Sequence, residues 1–195
     1  MPKNAQKILD YVHRINQQSS NISWILLTHC HIDHVGSAFE LKRLTNAKVG
    51  IHQEDADFLS GKKTVPGPKG VVGLLFRAMS PFFKFKPFEP DMKLQENDKV
   101  GRLTVIHTPG HTPGSVSLHD PERKILFVGD TIRFVNGKIS GPQERFTPDM
   151  QQAINSVEKI SRLDFDAMLG GHGDPLKPNA SEKVKELSSS LKQTL

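Results

Sequence analysis

An α/β fold is what this chain of 195 residues predicts, and three features predict it. Apolar residues at Ile8, Leu9, Val12 and Ile15 recur at helical spacing, whereas residues 22–27 are a continuous apolar run of strand length. Short apolar runs and helical patterns then alternate along the chain. Several of the runs end in a loop that carries a histidine or an aspartate.

In order, the pattern gives a helix over 4–17, a buried strand over 22–27 and a turn that opens at Val35-Gly36-Ser37 into a helix over 37–44. A short strand over 48–52 and a helix over 53–59 follow. Residues 103–107, 115–118 and 124–128 read as neighbouring strands, with paired Pro-Gly turns between the first two. Thr147 followed by Pro148 predicts a helix start with Thr147 as cap, running to 163. Residues 165–169 are again a strand. Asn179 with Glu182 three residues on predicts a capping box and a last helix toward 193.

The first strand leads into Thr28-His29-Cys30-His31-Ile32-Asp33-His34, with four metal-competent side chains, His29, His31, Asp33 and His34, in six residues. A turn at a strand end splays neighbouring side chains, so His29 and His31 are placed to grip one ion while Asp33 and His34 face a second. Imidazole nitrogens suit zinc, and a carboxylate among them suits zinc, iron or manganese. His111 lies within Thr108-Pro109-Gly110-His111-Thr112-Pro113-Gly114-Ser115, Asp130 within Gly129-Asp130-Thr131, and His172 within Gly170-Gly171-His172-Gly173-Asp174. Each ends a predicted strand, where a rigid scaffold can aim it.

These motifs resemble those of the metallo-β-lactamase superfamily, specifically its glyoxalase II-like branch with two metals, over about residues 3–178. The resemblance implies an αβ/βα sandwich of two mixed sheets with the metals on one rim. It implies a single domain over 1–195 with an insert or lid at about 61–90. His29, His31 and His111 would hold one divalent ion and Asp33, His34 and His172 the other, with Asp130 bridging. Asp33 and Asp130 are the candidate catalytic carboxylates. The cofactor implied is a pair of divalent ions, zinc first and iron or manganese next. The activity implied is hydrolysis, with a hydroxide held between the two ions attacking an ester, thioester or lactone carbonyl.

Departures from the family narrow the expectation. Only 28 residues precede His29, so the opening strands of the first sheet are expected to be absent, and the open edge favours a homodimer. The segment 61–90 begins with Val65-Pro66-Gly67-Pro68-Lys69-Gly70 and carries Phe82, Phe83, Phe85 and Phe88 interleaved with Lys84 and Lys86. It reads as a lid over an apolar or acyl substrate, ahead of a dimer contact or a membrane-surface helix. The only tyrosine, Tyr11, lies far upstream, unlike the substrate tyrosine of lactonases. One helix after His172 leaves no helical domain for glutathione. True β-lactamases usually lack an acid where Asp130 stands. Two further readings stand beside hydrolysis. One is a persulfide dioxygenase with a single iron on His29, His111 and Asp130, although Thr131-Ile132-Arg133-Phe134 lacks that branch's cysteine. The other is a metal-binding remnant without turnover.

Composition sets the remaining bounds. The lone Cys30 excludes an internal disulfide, fits a reducing compartment and reads as a small packed sulfur. No apolar stretch reaches membrane-spanning length and the N-terminus has no apolar signal core, so a cytoplasmic location is expected. The formal charge of +5 comes from dispersed lysines, which argues against a nucleic-acid partner and for a small-molecule substrate. His107 and His119 read as strand histidines, with orientation of a metal ligand as the alternative, and His52 stays unassigned.

Overall fold

The computed structural model describes residues 3–64 and 85–193. The chain forms two compact units, Met1–Leu94 and Gln95–Leu195.

In the first unit, α1 (Ala5–Arg14) precedes a three-stranded parallel sheet of order β1 (Trp24–Leu26), β2 (Lys48–His52), β3 (Met92–Leu94). The parallel β1–β2 pair needs a crossover, and α2 (Ile32–Val35) and α3 (Ala38–Thr45) supply it. The helix α4 (Gln53–Leu59) follows β2 directly. Val49 and Ile51 of β2 are fully buried, packing with Leu27, Val35, Ala38, Ala56 and Leu59. Cys30 belongs to the same cluster, as the packed sulfur of the sequence reading. Among the described strands β1 is an edge, bonded to β2 alone. Ala5 and Leu9 of α1 pack on Leu41 of α3 and leave Ile8, Tyr11 and Ile15 exposed.

The second unit holds a mixed five-stranded sheet of order β10 (Ala167–Gly170), β7 (Ile125–Gly129), β6 (Val116–Asp120), β5 (Leu103–His107), β4 (Lys99–Val100). The strands β4 to β7 form an antiparallel meander, and β10 joins parallel to β7. A hairpin of β8 (Arg133–Val135) and β9 (Lys138–Ser140) turns through Asn136-Gly137. Two helices, α5 (Met150–Ser161) and α6 (Ala180–Lys192), bury Val157, Ile160, Ala180, Val184 and Leu187 against Leu126, Val128 and Met168 of the sheet.

Both predicted caps are corrected. Thr147 does not cap α5; the Asp149 carboxylate accepts from the Gln152 amide at 2.9 Å instead, so the helix starts two residues later than Pro148 suggests. Asn179 forms no capping box with Glu182, because its backbone is left-handed (φ 61°) and its N–H donates to the Asp166 carboxylate at 2.9 Å. Of the insert, 65–84 lies outside the described residues, including Lys84, Phe82 and Phe83. Its final part is anchored: Phe88 meets the Phe39 ring edge-on at 5.7 Å, and the Lys86 ammonium sits 4.3 Å from the same ring's centroid.

Candidate metal centre

In the first unit the donors lie where β1 gives way to α2. Backbone extended through His31 (φ −65°, ψ 146°) places His29 and His31 on one side of the chain. The turn of α2, closed by the His34 and Val35 amides on the His31 carbonyl at 2.9 and 3.0 Å, swings Asp33 and His34 toward the same place. The His29 ring is 4.8 Å from that of His31 and 4.0 Å from that of His34, centroid to centroid. His34 Nε2 lies 3.6 Å from Asp33 Oδ2. All four predicted residues of this unit are therefore together, with His29 only 1% exposed. The Thr28 hydroxyl engages His29 Nδ1 at 3.2 Å, so Nε2 is the nitrogen that would serve a metal.

A residue that the sequence did not single out fixes this turn. Asp55 of α4 is fully buried and accepts the Cys30 amide at 2.8 Å, pinning the backbone between His29 and His31. Burial, with the Asp55 carboxylate beside it, pushes the Cys30 thiol well above its ordinary pKa, so it stays protonated in its apolar cluster. The only sequence signal for Asp55 was an acid on the inward face of an amphipathic helix.

In the second unit the donors end strands of one sheet. Asp130 follows β7 and His172 follows β10, and these parallel neighbours are tied at their ends by the Gly171 amide on the Gly129 carbonyl at 2.7 Å. His111 sits in the loop from β5 to β6, which is cross-linked by Thr108, Thr112 and Ser115. Asp130 Oδ2 lies 3.6 Å from His111 Nε2 and 3.4 Å from His172 Nε2, so the three predicted residues of this unit also converge. His107 donates through Nε2 to the Pro113 carbonyl, 2.9 Å away in the His111 loop, whereas His119 donates through Nε2 to the Asp164 carbonyl at 3.0 Å.

Thr147 has a different task from the predicted cap. Its single hydroxyl proton goes to the Gln143 carbonyl at 2.9 Å, so toward His111 Nδ1, 3.4 Å away, it acts as acceptor. That puts the proton on Nδ1 and the lone pair on Nε2, the atom that faces Asp130. Orientation of one ring nitrogen to free the other is how histidine ligands are prepared for metal.

The donor set fits divalent metal. The separations of 3.6, 3.6 and 3.4 Å are longer than good hydrogen bonds. Two donors about 2.05 Å from a tetrahedral ion lie about 3.3–3.4 Å apart. Imidazole with carboxylate is the chemistry that zinc and iron prefer.

Residues 2–172 match the metallo-beta-lactamase superfamily. The chain belongs to that superfamily. Its α/β architecture is the fold of that superfamily, which includes metal-dependent hydrolases of the kind the motifs predict. It is similar to the probable metallo-hydrolase YflN of Bacillus subtilis, 29% identical over 211 residues that cover 98% of this chain and 80% of that protein. It is 30% identical to the acyl-coenzyme A thioesterase MBLAC2 of Bos taurus over 157 residues, 74% of this chain and 54% of the relative. Among solved structures, TTHA1623 in a di-iron-bound form superposes with a TM-score of 0.65 at 26% identity, covering 88% of this chain and 79% of that one.

Proposed function

We propose that the two units act as one catalytic domain whose seven donors serve a dinuclear centre that hydrolyses an acyl ester or thioester. His29, His31 and His111 hold one divalent ion, Asp33, His34 and His172 hold the other, and Asp130 bridges. The observation that carries this reading is the donor spacing of 3.4–3.6 Å found independently in each unit. Family membership supports it, and the relative named as an acyl-coenzyme A thioesterase favours a thioester.

Bound at these donors, two divalent ions, zinc by preference, supply Lewis acidity and a water that ionises near pH ~7 instead of ~15.7. Asp33 and Asp130 offset two of the four positive charges, so the site stays cationic toward an oxyanion. Thr147 holds His111 in the tautomer that presents Nε2. Asp55 keeps the His29–His31 turn rigid through the Cys30 amide. Neither carboxylate is spare, because each also holds metal.

Elemental mass spectrometry on protein purified without chelator or added metal tests the centre, paired with turnover of acyl thioesters. About two zinc-class ions per chain with thioester hydrolysis is the expected result. One iron per chain with oxygen consumption, or no metal, overturns it. Asp130→Ala loses metal and activity together; full turnover in that variant sinks the bridging role.

A further inference from the structure

We infer that the cavity between α1, β1 and α3 receives the straight apolar chain of the acyl substrate. This deepens the hydrolase reading and rests on it. The cavity, about 330 Å³, belongs wholly to the first unit. That volume lies within the range of small-ligand sites. Ile8, Tyr11, Ile25, Leu27 and Leu41 give it an apolar wall, and Asp33 and His34 form part of the same lining. An acyl chain in the cavity therefore has its carbonyl end beside two of the proposed metal donors.

The walls are preformed. Leu41 is locked against Ala5 and Leu9 of α1, and the Asn4 amide donates to Ser37 Oγ at 3.0 Å, tying the start of α1 to the start of α3. Ile8 and Tyr11 are 41% and 53% exposed, so the open side of the cavity is itself apolar. Large exposed apolar side chains beside an apolar cavity are explained by a ligand that covers them. A ligand anionic along its length is disfavoured, since among the described residues Lys7 is the one lysine or arginine on the lining. The competing occupant, a second copy of the chain joined across the β1 edge of the described sheet, is an outcome of the test.

The test uses the metal-loaded protein and two probe series from acetyl to dodecanoyl: thioesters of one small thiol, and the corresponding carboxylates for calorimetric binding. Each methylene that enters the cavity should tighten carboxylate binding and lower KM about fourfold, with kcat nearly constant. Ile8→Trp, which narrows the mouth, should end the gain at shorter chains. Tyr11→Ala, which lengthens the open side, should extend it. A flat series, or the same cut-off in wild type and both variants, overturns the inference. So does a stable dimer that Ile8→Glu dissociates without changing chain-length preference, since a second copy then covers the face. Carboxylate binding that grows with length in a protein with no thioester turnover would keep the cavity and reject the hydrolase. Turnover indifferent to length would do the reverse.

Discussion

Thr147 shows how much of the proposed metal site rests on an atom that would not touch the metal. Its hydroxyl donates to Gln143 and accepts from His111 Nδ1, and both bonds follow from one proton. Thr147→Val keeps the shape and removes the acceptor. Metal affinity should fall about 10–100-fold, read by competition with a chromophoric chelator. Thr147→Ser should restore most of it, whereas a purely structural Thr would show a stability loss and unchanged affinity. Every one of the seven candidate donors was conspicuous in the sequence, because histidine and aspartate at strand ends stand out chemically. The supporting residues were not. Thr147 before Pro148 looks like a helix cap, and only the Asp149 carboxylate, two positions on, displaces it from that role. Asp55 was hidden for another reason: its partner is the Cys30 amide, 25 residues away, and backbone groups leave no mark in sequence.

Elements that pack on their neighbours were the easiest to read, and β2, α4 and β5 have the predicted bounds. Short strands such as β3 and β4, two or three residues long, escape because so few positions show no periodicity. The contact between α5 and the His111 loop makes one glycine obligatory. Gly110 has φ 123°, and a Cβ there would stand 2.3 Å from the Ala153 backbone nitrogen. Gly110→Ala should cost about 2–4 kcal/mol in chemical denaturation and displace His111, with metal loss alongside. A wild-type midpoint would contradict that packing. The helices α5 and α6 carry a pH dependence. The Lys192 ammonium, each member of the pair bonded at 2.7 Å, and then the Arg162 guanidinium hold the Glu158 carboxyl below its ordinary value of 4.5. A depressed carboxylate stabilises fully above its unfolded pKa and loses that contribution as pH falls through the folded one. Thermal stability should therefore fall below about pH 4.5, and the Glu158→Gln variant should show a shallower acid slope.

At the scale of the molecule, the family was legible from the metal motifs, while the passage between the compact units was not. It falls between Leu94 and Gln95, where no Pro- or Gly-rich linker changes the composition. No described helix is long and apolar enough to cross a membrane. The donors also bear on global stability. In each unit the candidate donors sit on ordered strand ends and turns in the folded chain, and an unfolded chain does not gather them, so metal held there would bind the native state selectively. At a free metal concentration about 100-fold above Kd, such binding adds about 2.7 kcal/mol. For a chain of 195 residues that corresponds to a Tm higher by about 5–10 °C. Chelation of the purified protein should lower Tm by that amount, and readdition of zinc should restore it. Asp130→Ala should begin near the chelated value and respond little to chelator. An equal Tm with and without chelator, in protein shown to have carried metal, would mean that the donors bind it without drawing on the fold.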